Sequence, residues 1–380
     1  VITVASVGDL ILDEPDPASF LAPSAPLLSA ADVTVGHVEV PHSTTTVQQS
    51  TDVPAPPADP AALTALAQAG FDIVTLAGNH IYDAGDTGVA DTVAHARRAG
   101  LATVGAGANL DEASTPALVE RGGLRIGVLS YNCVGPRESW ATSRKAGCAY
   151  VHVLTHYELD HASPGGPPKT YTFADPDSLT RLQTDVAALR ERADVVLVGL
   201  HKGVGHTPAA VAMYESPVAR AAIDAGADAV FGHHAHIMRG IETYRGRPIF
   251  HGLGNFVTVT RALTPDASSR SSAELTAWAR RRKELYGFAP DPDMPAYPFH
   301  PESRNTAIAV CRFDGEGLVE AGFEPCRIDD RGRPVPCGDT DEGRRVTDYI
   351  EHITRAAGLN GRFVREDGRV TIELNTERAS

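Results

Sequence analysis

Asp228-Ala229-Val230-Phe231-Gly232-His233-His234-Ala235-His236 is the stretch that decides the fold: a short apolar run breaks at glycine into closely spaced imidazoles. A run of that length beside turn residues reads as a buried strand. Histidines crowded into the turn after it have little packing value and point instead to a ligand. The same arrangement recurs outward along the chain. Asp9 follows the run 2–7, Glu39 follows 33–38, Asn79 and His80 follow 73–76, and His201 follows 195–200. Further strand-like runs lie at 126–130 and 248–251, and Ala-rich amphipathic stretches fill 60–69, 88–99, 177–192 and 209–225. Helix stops of the left-handed kind appear at Ala69-Gly70, Ala99-Gly100 and Ala225-Gly226. Strands alternating with helices predict an α/β fold with helices on the sheet faces. Strand ends in such a sheet share one edge, where ligands bind.

Asp9, Glu39, Asn79, His80, His201, His234 and His236 together offer carboxylate, amide and imidazole donors. That mixture suits Mn, Zn or Fe better than Ca and needs no thiolate, so the expected cofactor is one or two divalent ions. Taken singly, each residue has an ordinary reading: Asp9 as a turn cap, Glu39 as a solvated strand terminus, Asn79 as a turn residue, His201 as a hydrogen-bonded core histidine. Five strand ends carrying such groups favour a metal centre.

The 380-residue chain has a formal charge of −14, with 42% hydrophobic and 22% charged residues. This is a globular composition, and the acidic balance argues against broad phosphate neutralisation on a nucleic acid. No apolar run approaches the roughly 18 residues of a membrane span. Val1-Ile2-Thr3-Val4 lacks the basic end and cleavage site of a signal peptide, so a soluble chain is expected, and its cysteine usage points to the reducing cytoplasm. Cys133, Cys148, Cys311, Cys326 and Cys337 form no Cys-x-x-Cys and read as free thiols, with Cys326–Cys337 the one conceivable bridge. Two segments are too long for simple connections. Residues 133–174 carry Arg137, Arg144, Lys145, His152, His156 and His161; residues 260–303 carry Arg280-Arg281-Arg282-Lys283. Both are candidate lids, against the alternative of peripheral decoration. The expected organisation is a catalytic domain over 1–335 with these two insertions, then a C-terminal helix and β extension over 336–380 packed on its core.

The order Gly8-Asp9, Glu39, Ala77-Gly78-Asn79-His80, His201-Lys202-Gly203, Gly232-His233-His234-Ala235-His236 and Gly252-Leu253-Gly254-Asn255-Phe256 resembles the CapA family. That family is named for poly-γ-glutamate capsule synthesis and belongs to the calcineurin-like metallophosphatase superfamily. The match covers roughly residues 2–256, with a similar β-rich ending, and its specificity lies in motif order. The resemblance implies a two-sheet αββα sandwich of the metallophosphatase type with lid insertions and a metal centre at one sheet edge. Carried over by position, Asp9 is implied as the carboxylate of a first metal and Glu39 as a bridge. Asn79, His201 and His234 are implied at a second metal, with His236 turned toward the first. His80 is implied as a catalytic histidine that is not a ligand. Several positions depart from the pattern. Leu10 and Ile11 follow Asp9 where the superfamily has Asp-x-His, and His37 stands where relatives carry Asn before Leu-Glu. His37 is thus a replacement ligand or a hydrogen-bonding support behind one, and His233 and His251 are candidate supports. Lys202 replaces a frequent aromatic residue.

The expected activity is metal-dependent hydrolysis of a small anionic substrate, phosphoester cleavage being the superfamily's chemistry. Cleavage of a γ-glutamyl or other amide fits the capsule association, and a non-catalytic factor binding a γ-linked polymer is the third reading. His80 would serve as general acid. Lys202, Arg137, His300 and Arg304 are candidate substrate contacts because they place positive charge on the lid segments or near the strand edge. No Gly-x-Ser-x-Gly element supports a serine hydrolase, and no Gly-rich phosphate loop supports a nucleotide-driven ligase.

Overall fold

The computed structural model describes residues 1–50, 55–158, 166–262, 277, 280, 281, 283–366 and 368–374. His161 and Arg282 lie outside the described residues. The larger sheet has ten strands, running through Phe363–Glu366, Arg369–Ile372, Gly317–Ile328, Asn305–Asp314, Ile2–Leu12, Val33–Val38, Ile73–Thr75 and Ala102–Val104. Asn255–Val259 adds to Ile2–Leu12, and Pro334–Pro336 adds to Gly317–Ile328. A six-stranded sheet runs Ile241–Tyr244, Arg247–Phe250, Ala229–His234, Val195–Lys202, Leu124–Asn132, Ala117–Arg121. Helices Ala61–Gln68 and Gly85–Arg98 pack on the outer face of the first sheet, Pro176–Arg190 and Glu215–Asp224 on that of the second. The architecture is the α/β fold that the strand and helix alternation predicts, in the two-sheet αββα form that the family resemblance implies.

Side chains alternate across a strand, and here both faces are buried. Along Val195–Lys202, Val195 and Leu197 enter the core between the sheets, whereas Val196, Val198 and Leu200 pack under the helices. The alternation therefore sends His201 between the sheets and Lys202 to the helix side. Val33 and Val35 place His37 between the sheets in the same way, and Ala229 and Phe231 place His233 there.

Ile2–Leu12 extends well past residue 7, where the sequence suggests its end, because a distant segment pairs with its second half. Its register shifts at Asp9, which lies opposite both Asn255 and His37. Gly8 allows this close approach: a Cβ there would lie 2.0 Å from the Gly254 carbonyl oxygen, to which Asp9 N–H donates at 2.8 Å.

The helix expected at 209–225 begins only at Glu215. Side chains capture the backbone before it: Gly203 N–H donates to Tyr214 Oη at 2.7 Å and Ala212 N–H to Glu215 Oε1 at 2.7 Å. The first insertion forms an exposed hairpin of Val153–Glu158 and Lys169–Ala174. All five cysteines are free and buried, so Cys326 and Cys337 are not bridged. Helix Asp341–Ala356 buries Val346, Ile350 and Ile353 in the inter-sheet core, and Arg369–Ile372 pairs with Gly317–Ile328. Among the described residues no helix is long and apolar enough to cross a membrane.

Candidate metal centre

The loops and strand ends at the shared edge bring together three sets of donor atoms, each set lying within 4.8 Å: Asp9, Glu39 and His236; Glu39, His201 and His234; Asp9, His37 and His201. Glu39 belongs to two of them. Asn79 joins the second, its Oδ1 lying 2.7 Å from His201 Nε2, while His234 Nδ1 lies 3.2 Å from that same nitrogen. One ring nitrogen facing an amide oxygen and a second imidazole nitrogen has a single proton or lone pair to offer both. Donors held about 2.1 Å from one ion stand roughly 3.0–3.4 Å apart at octahedral or tetrahedral angles, so the 3.2 Å between the His201 and His234 nitrogens suits a shared cation, whereas the 2.7 Å contact with Asn79 is of hydrogen-bond length. His37 Nε2 and both Glu39 oxygens are buried without a hydrogen bond, although Glu39 Oε1 lies 3.2 Å from His236 Nε2. Buried polar atoms left bare are costly, and a divalent ion would satisfy them. The donor set thus fits a divalent metal.

Local backbone helps to aim these groups. His234 and His236 have positive φ, 86° and 54°, a conformation that side chains with a Cβ seldom adopt and that concentrates at functional sites. The turn takes His234 out of the strand's alternation and onto the edge, its N–H lying 3.3 Å from each Asp9 oxygen. Three imidazoles pack between the sheets, the His37 ring centroid lying 4.7 Å from a tilted His201 and 4.6 Å from a stacked His233. Gly78 makes space for them: a Cβ there would lie 3.2 Å from His37 Nε2.

Burial and the neighbouring Glu39 charge hold the Asp9 carboxyl well above its ordinary range. Burial also opposes ionisation of Glu39, but the adjacent His236 charge outweighs it and brings Glu39 to about 2. Burial disfavours the His236 imidazolium too, yet Glu39 and then Asp9 raise it to about 9. Burial, with adjacent imidazoles, pushes His37 and His201 well below the usual histidine range. The metal-free site thus uses His236 as its countercharge and keeps His37 and His201 neutral, as metal ligation requires.

Two residues without an assigned part in the sequence reading orient these groups. Asp83 Oδ2 accepts from His80 Nδ1 at 2.7 Å, directing the proton of the neutral ring to Nδ1 and making Nε2 the titrating atom. Its signal in the sequence is only the three-residue step from His80 across a turn. Asn255 Nδ2 donates to Tyr297 Oη at 3.1 Å, which leaves Oδ1 to accept from His236 Nδ1 at 2.9 Å and aims Nε2 at Glu39. Aromatic residues close over this side: Phe299 lies 4.9 Å from His236, and His206 stacks on His236 at 5.7 Å. His206 is a further residue that strand-end reasoning passes over, because it sits within a loop.

Comparison with known proteins bears on this geometry. The family described as Bacterial capsule synthesis protein PGA_cap matches residues 3–260, a segment that includes every donor named above. The chain belongs to the PGA_cap family. It is 34% identical over 209 residues to a probable polyglutamine synthesis accessory protein of Mycobacterium tuberculosis, covering 53% of this chain and 49% of that protein. It is 30% identical over 195 residues to the capsule biosynthesis protein CapA of Bacillus anthracis, covering 51% and 41%. The chain spans about half the length of these relatives. Among solved structures, a hypothetical protein from Thermus thermophilus aligns over 85% of this chain and 98% of its own, at 16% identity and a TM-score of 0.44. The calcineurin-like phosphoesterase YfkN from Bacillus subtilis aligns over 94% and 97%, at 12% identity and a TM-score of 0.36. Overlaps this loose add nothing to the family match.

Several expected contacts fall elsewhere in this PGA_cap member. Lys202 is neither at the rim nor aimed at the site: its side chain is fully buried on the helix side and Nζ lies 2.8 Å from Glu215 Oε2. Strand alternation is the reason, since adjacent residues take opposite faces. His251 spends both ring nitrogens there, Nδ1 on Lys202 Nζ at 2.9 Å and Nε2 on Glu242 Oε2 at 2.9 Å, and so does not support a candidate ligand. His233 lies behind His37 as a neighbour of the cluster, its Nε2 donating to Val7 O at 3.2 Å. Arg137 turns toward its own insertion, bonding His152 at 3.1 Å and covering Trp140. Arg304 is tied to Asp330 at 2.7 Å and to the Ile328 carbonyl, which turns its charge away from the cluster. His300 packs on Phe288, one ring beyond the aromatic residues against His206.

Proposed function

We propose that the protein is a metal-dependent hydrolase of a small anionic substrate, with a phosphoester as the favoured substrate. One observation carries this reading: Asp9, Glu39, Asn79, His201, His234 and His236 converge, and His80, oriented by Asp83, stands next to Asn79 in the same loop. A purely structural ion has no use for such a histidine. Bound Mn, Zn or Fe supplies Lewis acidity toward a phosphoryl or carbonyl oxygen and acidifies water. Glu39, shared by two donor sets, would hold one or two such ions, and Asp9 and His236 would close one side of the site. His80 would give a proton from Nε2 to the leaving oxygen, while Asp83 stabilises the imidazolium form.

The capsule and polyglutamine synthesis names of the relatives, with the poly-γ-glutamate association that the family resemblance implies, support a second substrate class, a γ-glutamyl amide or γ-linked polymer. Metal analysis of protein purified without added metal, followed by paired phosphoester and γ-glutamyl amide substrates, separates the readings. Turnover of phosphoesters alone rejects the amide reading, the reverse rejects the phosphoester reading, and metal without turnover of either class leaves a binding factor. His80→Ala should keep its metal and lose about 10²–10⁴-fold in turnover, the usual share of a general acid. His234→Ala should lose both. Equal metal loss in the two variants contradicts the separate roles.

A further inference from the structure

Behind the histidine edge lies a second assembly of charge that the proposed chemistry does not use. Lys202, Glu215 and Arg239 have fully buried side chains. Glu215 stands at the centre: Oε2 accepts from Lys202 Nζ at 2.8 Å, and Oε1 accepts from Arg239 Nη2 at 3.2 Å and from Ala212 N–H at 2.7 Å. Arg239 Nη1 donates to the Val204 carbonyl at 2.9 Å. Lys202 continues to His251 Nδ1 at 2.9 Å, and His251 Nε2 to Glu242 Oε2 at 2.9 Å. Arg220, about half exposed, ends the chain on Glu242.

Removing this many ions from water is unfavourable, and apolar residues of equal volume hold a core at least as well. The placement of the members gives the assembly a different use. Lys202 follows His201 directly, Arg239 comes three residues after His236, and His251 comes four before Asn255. Val204 and Ala212 bracket the loop that lays His206 on His236, and His206 N–H donates to the Ala235 carbonyl at 2.8 Å. The segments that carry His201, His236 and the His206 loop are therefore each tied to the Glu215 carboxylate, through Lys202, Arg239 and the Ala212 N–H.

We propose that Glu215, with Lys202 and Arg239, is a positioning clamp that sets the mutual geometry of His201, His236 and the His206 loop. The clamp touches neither substrate nor metal; it acts through the backbone of the residues that do. This inference rests on the metal-centre reading for its purpose, but the ordering of the loops can be measured without metal.

The test compares wild type, Glu215→Gln and the apolar triple variant Lys202→Met/Glu215→Leu/Arg239→Met. Amide hydrogen exchange on metal-free protein should show faster exchange confined to 203–214 and 234–240 in each variant that is folded by circular dichroism. Mn and Zn titrations should show affinity lowered about 10–100-fold, the range seen when groups supporting ligands are removed. The triple variant should lose affinity even if its melting temperature equals or exceeds that of wild type, which separates positioning from stabilisation. Exchange that is unchanged, or raised evenly over the whole molecule, overturns the proposal, as does wild-type affinity in a folded variant. A wild type that binds no metal would instead reject the metal centre, and the exchange pattern would still decide whether the clamp orders the loops.

Discussion

Glu39 and His236 hold opposite charges in contact and out of water, and their titration sets how the site responds to pH. His236 is raised from an ordinary 6.5 to about 9. In metal-free protein its contribution to stability is complete below the ordinary value and is lost as pH climbs through about 9. Glu39, lowered from 4.5 to about 2, contributes above its ordinary value and loses that contribution as pH falls through about 2. A divalent ion must displace the His236 proton, so uptake between 6.5 and about 9 should release protons and strengthen with pH. Calorimetric titrations in buffers of different ionisation heat would measure the release; none at pH 7.5 would contradict His236 as a ligand. Asp83 offers a second prediction. Asp83→Asn should leave metal affinity intact and lower turnover by about 10-fold or more, because the imidazolium form of His80 loses its carboxylate partner. A drop in metal affinity of the same size would place Asp83 with the ligands instead.

Elements explain why neighbouring residues have different fates. His201 and Lys202 are adjacent in sequence, yet the pleat gives one to the candidate metal centre and the other to a buried ion pair. Gly78→Ala would press a methyl against the packed rings, at 3.2 Å from His37 Nε2 and 3.4 Å from His201 Cε1. The expected result is metal affinity about 10-fold weaker by titration with the melting temperature nearly unchanged, an effect of ring displacement comparable to loss of a supporting group. Helix Asp341–Ala356 should matter to stability more than to chemistry. Ile350 is fully buried in the inter-sheet core, so Ile350→Ala should cost about 2–5 kcal/mol in denaturant unfolding. Thr340, whose side chain caps that helix at Gly343 N–H, should cost about 1 kcal/mol when changed to Ala.

At the scale of the molecule, one core joins both sheets and the C-terminal segment. Val4, Phe231, Ile350 and Ile372 belong to the same buried cluster, so the last helix and strand share the inter-sheet core with the first strand. A chain ending at residue 335 would expose that cluster where the last helix and strands now cover it. Such a truncation should bind a hydrophobic dye and lose its cooperative thermal transition; a sharp transition near that of the whole chain would show the extension to be dispensable.

Donor chemistry, the strand and helix alternation, and the family-defining order of motifs are all readable in one dimension, because each depends on residue type and short spacing. The sandwich class follows from them. Tertiary structure alone decided the partners of Asp83 and Asn255, the loop in place of a helix before Glu215, and the inward burial of Lys202. A side chain's chemical type is local, but its face, its dielectric surroundings and its neighbours depend on pairing with distant strands. Asp9 acquires its setting from Asn255 and His37, and no window along the chain contains all three.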